Sequence, residues 1–425
     1  MVPLPAARLA AVSLLWFGWN AQWLTIPPVL VPNQVLLILG GNRAVAELAA
    51  GSVLAAGALV SLLVTPVAGA LSDRAGGRTG RRRGFLVAGV AGTSLALVLL
   101  ERAGQGTLLF YALAYLNLQV WWNWAAGPFA GLIPDVVPPG QRDAASGWMN
   151  ALGIAGTIAG NLALLAFYDP GRPGPVLLCL GVLNLLCLAG TLAWVREAPF
   201  PAAAVPFRLR SFLRGFRLPW AGNQAFYWAL AARLLTNMGV WSILVFLVFY
   251  LQFVVGLSQA QAASLMPGLL AAGAAVGIPA SLAAAPLVRR FGPVRVVRGS
   301  GWVMALSAAS CTLVAFSPAV LPVAATVLVF SAANGVFGAA DWALALRVLP
   351  GGPDAGRSLG IWHICMVLPQ MAGPLTTGAV IALAKDAVSA PFAYGLAFGL
   401  AACWLVAAAC LVGRVRVAEP VYAAG

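Results

Sequence analysis

The chain has 425 residues, of which 61% are hydrophobic and only 8% charged, and its mean hydropathy is +0.92. Soluble globular domains carry about a quarter charged residues and roughly half apolar ones, so a soluble enzyme of this length is excluded and the bilayer is the expected solvent. The formal charge of +14 would point to nucleic acid in a soluble domain, but here most of it lies in the connections between apolar stretches.

A spanning helix takes ~20 mostly apolar residues, and twelve such stretches follow one another: 9–31, 44–71, 85–100, 107–133, 145–167, 175–195, 225–255, 262–288, 297–316, 321–346, 359–384 and 391–412. Long uniform apolar runs predict helices, because a spanning barrel alternates over about ten residues per strand. The first stretch has no small-residue cleavage site after it and reads as a retained span rather than a signal peptide. It carries Trp16, Asn20 and Trp23 at i, i+4, i+7. The second carries Glu47 near its start and runs into GALSDRAGGRTGRRRGF at 69–85. In that string Gly69 permits close helix approach, Asp73 and Arg74 set opposite charges at a helix end, and Gly80 permits a tight turn before Arg81, Arg82 and Arg83.

The fourth stretch repeats the i, i+4, i+7 spacing with Asn117, Trp121 and Trp124, and IPDVVPPGQRDAASGW follows it at 133–148. The connection at 196–222 contains RLRSFLRGFR among prolines, which predicts a short amphipathic segment on the membrane surface. It divides the chain into a six-span unit at 1–195 and a second at 223–425. The seventh stretch holds Arg233, Asn237 and Trp241, the tenth Asp341, and the eleventh Trp362, His363 and Gln370.

Arginines crowd the termini and the even-numbered connections, while the odd-numbered ones hold only Arg43, Arg102, Arg172 and Lys385. By the positive-inside rule both termini face the cytoplasm of an inner membrane, and the net charge is topological rather than a nucleic-acid footprint. The cysteines Cys179, Cys187, Cys311, Cys365, Cys403 and Cys410 sit in apolar runs without paired spacing, so they read as small core residues and no metal or other cofactor is expected.

The two halves also resemble each other. Val137 and Pro138 stand 212 residues before Leu349 and Pro350, and Gly147 stands 213 before Gly360, an offset of half the chain.

The 69–85 string resembles the signature loop of the major facilitator superfamily, and its SDR followed by GRRR is similar to the sucrose-transporter-like and glycoside/cation symporter branches. The resemblance implies an all-α membrane protein, with twelve transmembrane helices in two six-helix bundles related by pseudo-two-fold symmetry around a cavity that opens alternately to each side. It implies a gating role for Gly69, Asp73, Arg74, Gly80 and Arg81 to Arg83, with Asp73 bracing the start of helix 11 near Gly356 to Leu359 in the outward-facing state. The second-half loop APLVRRFGPVRVVRG departs from the pattern, since alignment on Gly292 puts Arg289 where the acid should stand. Neither the helix-4 arginine of many proton-coupled members nor the helix-5 Gly-Pro motif of drug antiporters is present. The mid-helix acids of cation symporters are absent too, so proton coupling and facilitated diffusion both stay open.

Charged residues within spans cost ~2.5–3.5 kcal/mol on insertion scales and suggest function, which makes Glu47, Asp341 and His363 the coupling candidates. Amides beside flat aromatic rings suit the hydroxyl bonding and stacking of a sugar. Trp16, Asn20, Trp23, Asn117, Trp121, Trp124, Asn237, Trp241 and Gln370 are therefore the cavity candidates. The expected function is secondary transport of a small neutral sugar or polyol by a monomer, not enzymatic. An exporter of hydrophobic or amphipathic compounds is the alternative.

Overall fold

The computed structural model describes residues 4–76, 80–138, 141–195, 197, 222–314, 319–348, 355–385 and 387–416. Among them twelve helices follow the expected stretches closely. They are α1 (Ala6–Ile38), α2 (Arg43–Arg74), α3 (Arg83–Ala103), α4 (Leu108–Val136), α5 (Arg142–Phe167), α6 (Gly174–Trp194), α7 (Gln224–Phe253), α8 (Gln259–Phe291), α9 (Pro293–Val314), α10 (Val320–Val348), α11 (Ala355–Lys385) and α12 (Ala390–Val412). Nine are long and apolar enough over an 18-residue stretch to cross a membrane. Large apolar side chains such as Leu95, Leu306 and Leu383 stand exposed on the outer surface, as lipid contact allows and water does not.

The contacts among the first six helices recur among the second six. The α1–α5, α2–α4, α3–α4, α3–α6 and α1–α6 packings match α7–α11, α8–α10, α9–α10, α9–α12 and α7–α12. Across the halves α2 packs on α11 and α5 on α8, which completes a two-bundle layout with pseudo-two-fold symmetry. Close α1–α5 packing depends on missing side chains: a Cβ on Gly156 or Gly160 would lie 2.1 Å from the Phe17 carbonyl oxygen or 2.0 Å from that of Ala21.

The first helix is longer than the sequence suggests. Pro27, Pro28 and Pro32 mark an end near residue 31, yet the chain passes through a π turn at Ile26–Leu30 and continues as helix to Ile38. Prolines lack the N–H that closes an α turn. Here the Thr25 hydroxyl bonds the Ala21 and Gln22 carbonyls, and the Leu30 N–H reaches the Thr25 carbonyl. The widened turn absorbs the break instead of ending the helix. The cysteines divide: Cys187, Cys311 and Cys365 are buried as expected, but Cys403 and Cys410 are exposed on α12. The RLRSFLRGFR segment lies outside the described residues.

Candidate functional site

A small cleft lies between the halves. Helix spacing builds its wall. Leu54, Ala58 and Ser61 come from α2 at i, i+4, i+7, and Tyr115, Gln119 and Trp122 come from α4 at the same spacing. Trp23 and Pro27 enter from the π-broken part of α1, Trp241 and Val245 from α7, and Gln370 from α11. The Trp23 ring lies edge-on to Trp122 of its own half at 6.2 Å and to Trp241 of the other half at 5.7 Å. Gly57 makes room for Tyr115, whose ring a Cβ there would meet at 2.4 Å.

A polar ladder backs this wall. Gln119 Nε2 donates to the Tyr115 hydroxyl at 2.9 Å, Asn123 Nδ2 donates to Gln119 Oε1 at 3.1 Å, and Ser61 and Thr65 donate to Asn123 Oδ1 at 2.7 and 2.8 Å. Buried amides that bond one another hold fixed orientations.

Of the cavity candidates, Trp23, Trp241 and Gln370 line the cleft. Trp121 lies against Gly92 and Trp124 stacks on Phe85, both of α3, at closest ring-atom and centroid distances of 2.3 Å (to an added Cβ) and 5.5 Å. Asn117 shares their helix face. The face that borders the cleft starts at Tyr115, and a shift of two residues turns an α-helix by ~200°, so the same spacing read from Asn117 faces away. Trp16 stacks on Phe129 beside Gly153 of α5, and Asn20 and Asn237 bond the carbonyls of Trp16 and Arg233 one turn back.

The charged residues within spans are paired. Asp341 forms a buried ion pair with Arg233, whose guanidinium lies 4.9 Å from the Trp362 ring centroid. Glu47, buried at 1% exposure, accepts from Lys385 Nζ at 2.6 Å and from the Tyr394 hydroxyl at 3.1 Å. The side chain of His363 lies outside the described residues. Glu47 belongs to a group of four side-chain hydrogen bonds that join the halves at one end of the molecule. The others run from Gln252 Nε2 to Asn33 Oδ1 and from Gln259 Nε2 to the Asn33 carbonyl, each at 3.1 Å.

A denser network occupies the opposite end. Gly80 turns with φ +100°, and a Cβ there would stand 2.1 Å from Glu197 Cβ. The turn carries Arg81 and Arg82 back beneath α4. Arg81 grips Asp135 with two nitrogens, at 3.1 and 2.7 Å. Arg82 is buried, donates to Asp135 at 2.6 Å, Asp73 at 2.7 Å and Ser72 Oγ at 3.0 Å, and gives its backbone N–H to Glu197 at 2.9 Å. Its guanidinium fills the place that a side chain on Gly131 would take. The Asp135 hydrogen bond raises the Arg81 pKa, whereas burial raises that of the Glu197 carboxyl. Gly69 crosses α4 at Gly127, with an added Cβ 3.6 Å from that backbone, and Arg74 caps its own helix at the Ala70 carbonyl. Arg83 opens α3. The side chains of Gly356 to Leu359 lie outside the described residues, and the Asp73 carboxylate bonds Arg82.

Sequence reasoning passed over Tyr115, Gln119 and Trp122 as lining, and Asp135 and Glu197 as partners of the arginine turn. Asp135 carried a signal, an acid just past an apolar stretch at the same end as the arginine triplet. Glu197 carried none, since nothing local ties it to residue 82.

The family model described as Major Facilitator Superfamily matches residues 9–351. No curated protein sequence matches the chain. Among solved structures it is similar to a D-xylose-proton symporter, with 15% identity, 97% of each chain covered and a TM-score of 0.74. It is also similar to the nucleoside transporter NupG, with 13% identity, 96% of this chain and 99% of that one covered and a TM-score of 0.70. A bacterial homologue of the iron transporter ferroportin in its inward-facing state has 16% identity, 96% and 98% coverage and a TM-score of 0.68.

Proposed function

The chain belongs to the major facilitator superfamily and is a multi-pass membrane transporter, and from that premise we propose that it carries a small neutral polyhydroxylated solute, a sugar or polyol, by alternating access of the central cleft. The cleft wall supports this reading: Trp23, Trp122 and Trp241 offer ring faces and indole N–H groups, Tyr115, Gln119 and Gln370 offer hydrogen bonds, and among the described residues no lining side chain is charged. A charged cargo would be left unpaired against such a wall, at the cost that burying a lone charge carries. Ring hydroxyls find partners there, and the C–H faces of a sugar find the indoles. The named cargoes of the similar structures span a sugar, nucleosides and iron, so wall chemistry rather than fold supports this choice.

The distribution of arginines supports an orientation with both termini and the Arg81–Arg82 network on the cytoplasmic side of an inner membrane. The Glu47–Lys385 group then closes the outer side, and the arginine network supports the inner gate. For energy coupling, the Asp341–Arg233 pair is the proton-binding candidate that this reading favours. Protonation of Asp341 would release a buried guanidinium, a change large enough to alter α7–α10 packing.

Thermal unfolding of the purified protein against mono- and disaccharides, polyols, lipophilic cations and amphiphiles tests the cargo. A ligand at a hundred times its dissociation constant adds about 2.7 kcal/mol of stability. Stabilisation by a sugar or polyol, followed by its uptake into proteoliposomes, is expected. Stabilisation by lipophilic compounds alone would overturn the sugar reading and favour an exporter.

A further inference from the structure

The two halves handle their arginines differently. In the first half Arg81 and Arg82 are neutralised internally by Asp73 and Asp135, with Glu197 on the backbone of Arg82. In the second half basic residues stand at or beside the places that match those acids. Arg289 stands three residues before Gly292, as Asp73 stands three before Gly76. Arg347 stands two before Leu349, as Asp135 stands two before Val137. Beyond α12, Arg414 and Arg416 flank the place that Glu197 takes beyond α6.

Among the described residues, the consequence is a surface whose positive charge has no acidic partner. Arg289 and Arg290 end α8, Gly292 turns at φ +80°, and Arg295 and Arg298 open α9. All four are exposed, as is Arg347 at the end of α10, and among the described residues none of the five takes part in an ion pair. The α8 dipole attracts Arg289 and Arg290, but a helix end carries only about half a unit charge. Exposed apolar side chains border the arginines: Leu287 and Phe291 on α8, with the Arg290 guanidinium 5.2 Å from the Phe291 ring, and Trp302 on α9, one turn past Arg298. A soluble anion has no use for that border, whereas a lipid has both a phosphate for the guanidiniums and chains for the apolar rim.

We infer that the α8–α9 turn is a binding surface for anionic phospholipid headgroups, whose phosphates supply the negative charge that Asp73 and Asp135 supply in the first half.

The test uses the full chain in neutral detergent. Thermal unfolding is followed with added phosphatidylglycerol, phosphatidylcholine or inorganic phosphate, for the wild type, for R289Q/R290Q/R295Q/R298Q, and for a control bearing R8Q and R172Q. Phosphatidylglycerol is expected to raise the wild-type and control midpoints, with an effect that weakens as salt screens the charges, while the four-arginine variant keeps less than about a third of the rise. The two half-variants, R289Q/R290Q and R295Q/R298Q, are each expected to lose part of it and serve where the full variant fails to fold. Retention of the full rise in all these variants, an equal rise with phosphatidylcholine, or its reproduction by inorganic phosphate overturns the proposal. Counting lipid adducts by native mass spectrometry gives an independent readout, with fewer retained phosphatidylglycerol molecules expected on the variant.

Discussion

Lys385→Met isolates the contribution of the ion pair that joins α11 to α2. Glu47 is 1% exposed and has two partners, Lys385 Nζ at 2.6 Å and the Tyr394 hydroxyl at 3.1 Å. Removing one member of a buried pair leaves an uncompensated charge and costs about 3–5 kcal/mol. The Tyr394 bond survives the substitution, so the lower end of that range applies, and only while the halves are latched, because separation lets water reach the carboxylate. Each ~1.4 kcal/mol is a factor of ten, so the latched population should fall by roughly a hundredfold relative to the unlatched one. Spin labels at Gln105→Cys and Val388→Cys, on exposed turns of opposite halves at this end, in a chain whose native cysteines are replaced, read the separation by pulsed electron resonance. Lys385→Met should add a longer-distance population, and Glu47→Gln/Lys385→Met should return the short one, because the uncompensated charge is gone. Unchanged distances in the single variant, or a double variant as open as the single one, would refute the latch.

Three further outcomes follow from the site geometry. Gly80→Ala places a Cβ 2.1 Å from Glu197 Cβ at φ +100°, and it should lower unfolding stability by about 1–3 kcal/mol and impair transport, as measured by thermal unfolding and proteoliposome uptake. Gln119→Ala and Trp122→Phe change the cleft wall and should reduce ligand-induced stabilisation at least tenfold in apparent affinity, a loss of about 1.4 kcal/mol. Asn117→Ala, on the α3 side, should leave that affinity within about twofold, and equal losses at both faces would contradict the assignment. Burial raises the Glu197 pKa, so its contribution to folding is full below the ordinary carboxylate range and is lost as pH rises through the raised value. Glu197→Gln should therefore remove a downward step in stability between mildly acidic and neutral pH, read from midpoints across that range.

The fold was largely legible because a bilayer leaves few options. Apolar length and the loss of backbone partners in hydrocarbon dictate helices, and the offset between Val137 and Leu349 reveals the repeat. Legibility fell where tertiary contact overrides local signal. The first apolar stretch reads as ending near residue 31, yet the chain passes its prolines through a π turn and continues as helix to Ile38. On α4 the period was readable but its phase was not. Asn117–Trp121–Trp124 and Tyr115–Gln119–Trp122 fit the same spacing, and both faces carry aromatics and an amide. What distinguishes them lies elsewhere in the chain: Gly92 and Phe85 receive one face, Gly57 and Trp23 the other. The arginine turn was readable as a motif, yet its counter-ions come from α4 and from beyond α6.

The two ends differ in a way that the proposed alternating access would use. Among the described residues, two of the four side-chain hydrogen bonds that join the halves at the Glu47 end pair neutral groups, for which a net ~0.5–1.5 kcal/mol each is typical, while the two on the Glu47 carboxylate are charge-assisted and worth ~1.5–3 kcal/mol each. The arginine network, by contrast, ties α2, α4 and Glu197 just beyond α6 and among the described residues makes no bond to the second half. When the halves rock, these charge-assisted bonds move together and need not break. They tie α2, α4 and Glu197 together at that end. Asp73 is the exception in exposure, with 52% of its side chain accessible while one oxygen holds Arg82. It is the member of the network with room for a further donor, which is what a carboxylate must have if it is to meet the start of α11 once that end closes.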